Sequence, residues 1–211
     1  MQKLFQLVLL FALTPFMAAS NAADEIYKEG VNYEVLSNPP AAEHGDKITV
    51  TEFFWYGCPH CYSLEPFVVS WLKTKPEGVE FKRMPAGLNP SWEFNAKAYF
   101  AMEIMGVTAN LHEAVFESVN KDRKPLMSEP ELLDFVEKHG VDREKFKETL
   151  NSFEVDGMVR HSNLLAGQYR LQGVPNVIVN NKYRVDAALA GGPDKLFKVV
   201  DFLIAKESTK H

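Results

Sequence analysis

Cys58 and Cys61 are the only cysteines in the 211 residues, and only Pro59 and His60 separate them. A disulfide across so short a ring removes little freedom from the unfolded chain, so it adds little stability. The pair therefore reads as chemistry. Two chemistries use Cys-x-x-Cys: thiol–disulfide exchange, or half of a tetrahedral zinc site. Structural zinc needs two further ligands. No second Cys pair exists, and among His44, His60, His112, His139, His161 and His211 no two are spaced three to five residues apart. Exchange is the reading that remains.

The neighbouring pattern places the pair. Lys47 to Trp55 alternates and is β-branched, which predicts a strand. Tyr56-Gly57 ends it. From Cys58 to about Thr74 the apolar residues Leu64, Phe67, Val68, Trp71 and Leu72 recur at helical spacing, with a kink expected at Pro66. Cys58 thus falls at a helix N-terminus, where unpaired amides and the helix dipole favour a thiolate. Pro59 suits the first turn, and His60 adds a positive or hydrogen-bonding neighbour. Cys61, one turn on, is expected to be more buried and less ionised. A stabilised Cys58 thiolate stabilises the reduced protein and makes the disulfide an oxidant. Glu52 shares a strand face with Ile48, Val50 and Phe54, so it is buried or near a strand end. A buried carboxyl there could exchange protons with Cys61. Val174-Pro175 precedes a strand, a natural place for a cis bond, although an ordinary trans turn fits as well.

The remaining elements follow from periodicity and caps. Val79 to Met84 predicts a second strand. Then come five helices: Asn89-Pro90 through Met105, one capped by Thr108, one opened by a capping box at Ser128 to Glu131, one capped by Asp142, and one from about Val155 to Leu171. Val177 to Val179 and Tyr183 to Val185 predict a hairpin turning at Asn180-Asn181. A last helix starts at Gly192-Pro193. Ahead of the first strand lies a polar lead-in with one apolar patch, Val31 to Leu36. The chain begins with a positive start, an apolar run from Leu4 to Met17, and small residues to Ala22. That is the pattern of a secretory signal peptide, and the run is too short to span a bilayer. Export permits a persistent disulfide. A 46% apolar, 24% charged composition suits a globular chain, and a net charge of −5 argues against nucleic acid.

The run Glu52 to Tyr62, with Gly173-Val174-Pro175 and the hairpin segment from Val177 to Val185, resembles the periplasmic thiol:disulfide oxidoreductases of the DsbA type. The likeness covers essentially all of the chain after residue 22. The Pro-His pair between the cysteines marks this family, whereas thioredoxins usually carry Gly-Pro there and protein disulfide isomerases Gly-His. The resemblance implies an α/β thioredoxin-like fold with an inserted all-helical domain. Its parts would be a signal peptide at 1–22, a discontinuous thioredoxin-like domain at 23–88 and 172–211, and a helical domain at 89–171. It makes Cys58 the nucleophile, Cys61 its buried partner, His60 a stabiliser of the thiolate and Glu52 the buried acid. Pro175 would be the cis-proline facing the disulfide, with Val174 offering backbone hydrogen bonds to substrate. Reduced exported proteins would be the substrates, and a quinone-linked membrane protein of the DsbB type would reoxidise the pair. No cofactor beyond the disulfide is implied, and a monomer is expected. Asn176 departs from the smaller residue expected after the proline, which bears on substrate preference. Asn180-Asn181 stands where Asn-Gly is more usual.

Two other readings have sequence-level tests. The first is a disulfide isomerase or reductase; periplasmic isomerases resemble this core but carry a separate N-terminal dimerisation domain, whereas only about 25 residues lie between residue 22 and the first clear strand. A non-enzymatic holdase would keep its activity in a Cys58→Ser variant.

Overall fold

The computed structural model describes residues 26–37, 39–40 and 47–209. The expected signal peptide, His44 and His211 lie outside the described residues. Five strands form one sheet in the order β1-β5-β4-β2-β3: β1 is Glu34–Val35, β2 Thr49–Phe54, β3 Glu80–Pro85, β4 Asn176–Val179 and β5 Tyr183–Val185. The central strand β2 runs parallel to β3 and antiparallel to β4. The parallel pair is joined through α1, Pro59–Leu72, which continues past Pro66 as one helix. Helices α2 (Pro90–Ile104), α3 (Thr108–Asn120), α4 (Glu129–Lys138), α5 (Arg143–Leu150) and α6 (Phe153–Gln168) all lie between β3 and β4. After β5 come a single turn, α7 (Ala187–Ala190), and the closing helix α8 (Pro193–Ser208). This is a thioredoxin-like fold with a helical insertion.

Helices on both faces of the sheet explain why β2 is buried along nearly its whole length. Val50 packs with Leu64, Val68 and Trp71 of α1 and with Leu196, Val200 and Leu203 of α8. Phe53 points the other way, onto Leu165 of α6 and Tyr169 just beyond its end. Phe54 and Cys61 instead share a core with Tyr99, Phe116, Leu132 and Phe146 of the inserted helices. The insertion is therefore packed through the active-site strand, not merely tethered to it.

Local chemistry explains most boundaries. Asn89 accepts the amides of Ser91 and Trp92, with Pro90 in the first turn. Asp142 and Ser152 cap α5 and α6. Asn180 and Asn181 both take positive φ, +52° and +54°, and the Lys182 amide donates to Val179 at 3.0 Å. Those are the requirements of a tight hairpin turn, met by Asn where Gly is commoner.

Two expected caps are absent. Thr108 is the first residue of α3, not its cap, and its hydroxyl is buried without a hydrogen-bond partner. The preceding helix decides this: Gly106 is left-handed, and the amides of Gly106 and Val107 bond back to Glu103 and Met102. That C-terminal motif uses Val107 as the junction and leaves no extended residue for Thr108 to occupy. Ser128 is the residue before α4, yet its side chain makes no capping bond. Pro130 removes one of the two amides such a cap would use. Strand β1 and helix α7 escape periodicity altogether, being two and four residues long.

Candidate active site

Cys58 is the N-cap of α1, with extended backbone at φ −93° and ψ 112°. Its Sγ occupies the place where Ser, Thr or Asp usually accepts an amide, and it accepts the Cys61 N–H at 3.4 Å. Pro59 takes the first helical position, where a missing N–H costs nothing. The Cys58 thiol is lowered from 9.0 to about 6. The hydrogen bond from the Cys61 thiol contributes most, and burial opposes it. The amides of Cys61 and His60 follow, and the charge of the exposed His60 contributes less than these. The site thus relies on helix-end donors more than on the histidine. Cys61 is fully buried, and that burial pushes its thiol far up.

Glu52 lies beneath the pair, fully buried on β2 with Arg83 of β3 opposite it in register. Its carboxylate receives no hydrogen bond, and its nearest charge is Arg83 Nε at 3.5 Å. Burial pushes its pKa from 4.5 up to about 8, Glu65 adds to the rise, and Arg83 opposes it. The cluster extends further. Arg83 also pairs with Glu65 of α1 at 2.9 Å. Glu65 accepts from His112 Nε2 at 3.3 Å, and His112 Nδ1 meets the Tyr56 hydroxyl at 2.8 Å. Since a carboxylate can only accept, His112 carries its proton on Nε2, and Tyr56 donates to Nδ1. Burial lowers the His112 pKa, which keeps the imidazole neutral. For Glu65, burial pushes upward, but the His112 and Arg83 contacts outweigh it and the net shift is downward.

Across from the cysteines, the Val174–Pro175 peptide bond is cis. The Cys58 thiol donates to the Val174 carbonyl at 3.5 Å. An open cavity of about 530 Å³ begins there, lined by His60, Leu64, Val174, Pro175, Asn176 and Ala187 among others. Asn176 does not point freely into it: its side-chain amide donates to the Gly173 carbonyl at 2.8 Å and braces the proline loop. On the other side of Cys58, Trp55 stacks on Trp92 at 4.5 Å and donates to Asn95 at 2.8 Å. A Cβ on Gly57 would meet the Trp55 ring at 2.2 Å, so only glycine leaves that ring its place. Among the described residues no group of three or more His, Cys, Asp or Glu could hold a metal ion.

The model of the DSBA-like thioredoxin domain matches residues 49–203. The chain belongs to the DSBA-like thioredoxin domain family. The thiol:disulfide interchange protein DsbA of Pseudomonas aeruginosa is 41% identical over 201 residues, covering 95% of each chain. That of Azotobacter vinelandii is 39% identical, covering 94% of this chain and 92% of its own. The crystal structure of Pseudomonas aeruginosa DsbA superposes with a TM-score of 0.84 at 42% identity, covering 87% of this chain and 96% of that one. As a DSBA-like protein, the chain is a thiol:disulfide oxidoreductase.

The structure brings Cys58, Pro59, His60, Cys61, Glu52, Val174 and Pro175 into one locality. Sequence reasoning missed Glu65, Arg83, His112 and Tyr56. One signal for Glu65 was present: it lies one helical turn beyond Cys61 on the same helix. His112 gave none, because a lone histidine in an amphipathic helix looks like any core or surface position.

Proposed function

We propose that the chain is a dithiol oxidase that donates its Cys58–Cys61 disulfide to newly exported proteins. The carrying observation is the capping geometry of Cys58: its sulfur sits on the amides of α1, so its thiolate is the favoured product of reduction. A substrate thiolate attacks the Cys58 Sγ. The substrate–Cys58 bond forms, the Cys58–Cys61 bond breaks, and Cys61 leaves with the electron pair. A thiolate so deeply buried takes a proton, and Glu52, pushed up to about 8, holds one at neutral pH. A second substrate thiolate then attacks the substrate sulfur of the mixed disulfide, and Cys58 departs as a stable thiolate. The substrate loses two electrons and the pair gains them.

The proline loop would align the substrate. An extended segment next to its cysteine would pair with the Val174 backbone in the manner of an added strand. Reduced exported proteins are the substrates, and the pair itself carries the electrons without a further cofactor. A quinone-linked membrane protein of the DsbB type would return the pair to the disulfide. The setting is the periplasm, reached through the signal pattern of residues 1–22. Discontinuous 23–88 and 172–211 form the thioredoxin-like unit, with 89–171 as the helical domain.

The test is single turnover of the oxidised protein with a reduced exported protein that has two cysteines. Two substrate thiols should be lost per molecule, with no transfer by Cys58→Ser. Cys61→Ser, offered the same substrate as its disulfide, should be trapped as an adduct, the Cys58 thiolate displacing one substrate sulfur as a thiolate with no Cys61 left to resolve the bond. Folding assistance by Cys58→Ser without thiol transfer would instead identify a holdase.

A further inference from the structure

The residue that carries the nucleophile's loop is held from the inserted helices. Tyr56 lies two positions before Cys58 and is fully buried. Its hydroxyl meets His112 of α3 at 2.8 Å. Its carbonyl accepts the side-chain amide of Asn120, two turns further along the same helix, at 2.8 Å. Asn120 is itself fixed by a second bond to the Phe116 carbonyl. The Tyr56 ring packs edge-on against Phe54 and Phe116, at 5.1 Å and 4.9 Å. From Tyr56 the chain passes through Gly57 to Cys58, whose amide donates to the Trp55 carbonyl at 3.0 Å.

We infer that α3 positions the nucleophile through Tyr56: His112 and Asn120 grip that residue at its two ends, and the gripped loop keeps the Cys58 sulfur on the amides of α1. The inserted helices thereby set the oxidising strength of the pair. This rests on Cys58 being the reactive thiol. The groups facing the Cys58 sulfur are Cys61 and His60 with their amides on α1, and the Val174 carbonyl ahead of β4. Those facing His112 are Tyr56, Glu65 of α1, Arg83 of β3, and Glu103 of α2, with Tyr99 of α2 in ring contact. Releasing the grip changes none of the charged groups around Cys58. It changes where the sulfur sits.

Four variants separate this route from the others. Tyr56→Phe keeps the packed ring and removes only the hydroxyl. Asn120→Ala frees the carbonyl. His112→Leu removes the acceptor for Tyr56, whereas His112→Asn keeps an acceptor at the Nδ1 position; both lose the bond to Glu65. Each is measured in the reduced state by titrating the Cys58 thiolate absorbance, and in both redox states by equilibrium with glutathione and by denaturant unfolding. Tyr56→Phe, Asn120→Ala and His112→Leu should raise the thiolate titration and shift the glutathione equilibrium toward the protein disulfide, by up to about tenfold for one pKa unit. The reduced form should lose more stability than the disulfide form, and His112→Asn should stay close to the parent. Equal loss of stability in both redox states, with titration and equilibrium unchanged, would reduce the contact to packing and overturn the inference. So would matching shifts in His112→Leu and His112→Asn beside an unaffected Tyr56→Phe, which would place the effect in Glu65. Behaviour of the unaltered protein tests the oxidase reading, and differences among the variants test the grip.

Discussion

Two buried titrations at the active site have opposite signs. Cys58 titrates near 6 in the folded reduced protein against 9.0 for an ordinary thiol. The unfolded chain holds that proton to higher pH, so folding of the reduced form releases it between those values. Stability of the reduced form should therefore climb as pH rises from about 6 to about 9, and be lost as pH falls through 6. The disulfide form lacks the group and should show no such rise. Urea midpoints of both forms across that range check it; parallel curves would contradict it. Glu52 works the other way. Its carboxyl is pushed from 4.5 up to about 8 by burial. The folded protein binds a proton that the unfolded chain has released, so stability present below 4.5 drains away as pH rises through 8. Glu52→Gln removes that loss. It should gain stability over the parent progressively as pH rises from about 4.5 to about 8, and none at pH 4. At this scale the sequence was informative for the cysteines, because their spacing is itself the signal. It was informative for Glu52, because a lone acid interrupts an apolar row. The Arg83–Glu65–His112 cluster comes from three different elements, and no spacing rule links residues whose contacts are made only by folding.

Elements position these residues through their ends. Strand β2 delivers Trp55 to Gly57, the turn delivers Cys58, and α1 begins with its amides aimed at the sulfur. Gly57 is the tightest point in that hand-over. Gly57→Ala would drive a methyl into the Trp55 ring, so the Trp55–Trp92 stack must shift. The expected cost is about 2 kcal/mol, with a changed near-ultraviolet tryptophan signal. An unaltered spectrum and unaltered stability would contradict the packing. Amphipathic helices and a β-branched strand announce themselves by period, so nearly every longer element was legible. The failures have local causes. Thr108 looked like a cap because Thr often is one, but Gly106 and Val107 had already closed α2 and fixed the junction. The Ser128 motif contained Pro130, which lacks one of the two amides such a cap can use. Short β1 exists because β5 supplies a partner, a fact that lies 150 residues away.

The whole molecule is built so that the insertion and the sheet share one interior. Phe54, Tyr56 and Cys61 belong to the same core as Leu111, Phe116, Leu132 and Phe146. A chain with that interior should unfold in one step. Trp71, stacked on Phe197, reports the sheet side, and Trp92, stacked on Trp55, reports the insertion side. Single-tryptophan readouts of the two regions should give coincident denaturation midpoints. Separate midpoints would show the inserted helices to be an independent unit. Fold class was legible from the order strand–helix–strand, helical block, hairpin–helix. The shared core was not, since composition and periodicity say which residues are buried but not with whom. On this mechanism the Cys58 thiolate makes the pair an oxidant. The most direct test is the redox equilibrium of Cys58–Cys61 against glutathione. A potential well above the glutathione couple, which lies at roughly −220 to −260 mV, is the predicted result. A potential near that of thioredoxin, about −270 mV, would contradict it, and would make the protein a reductase whatever its fold.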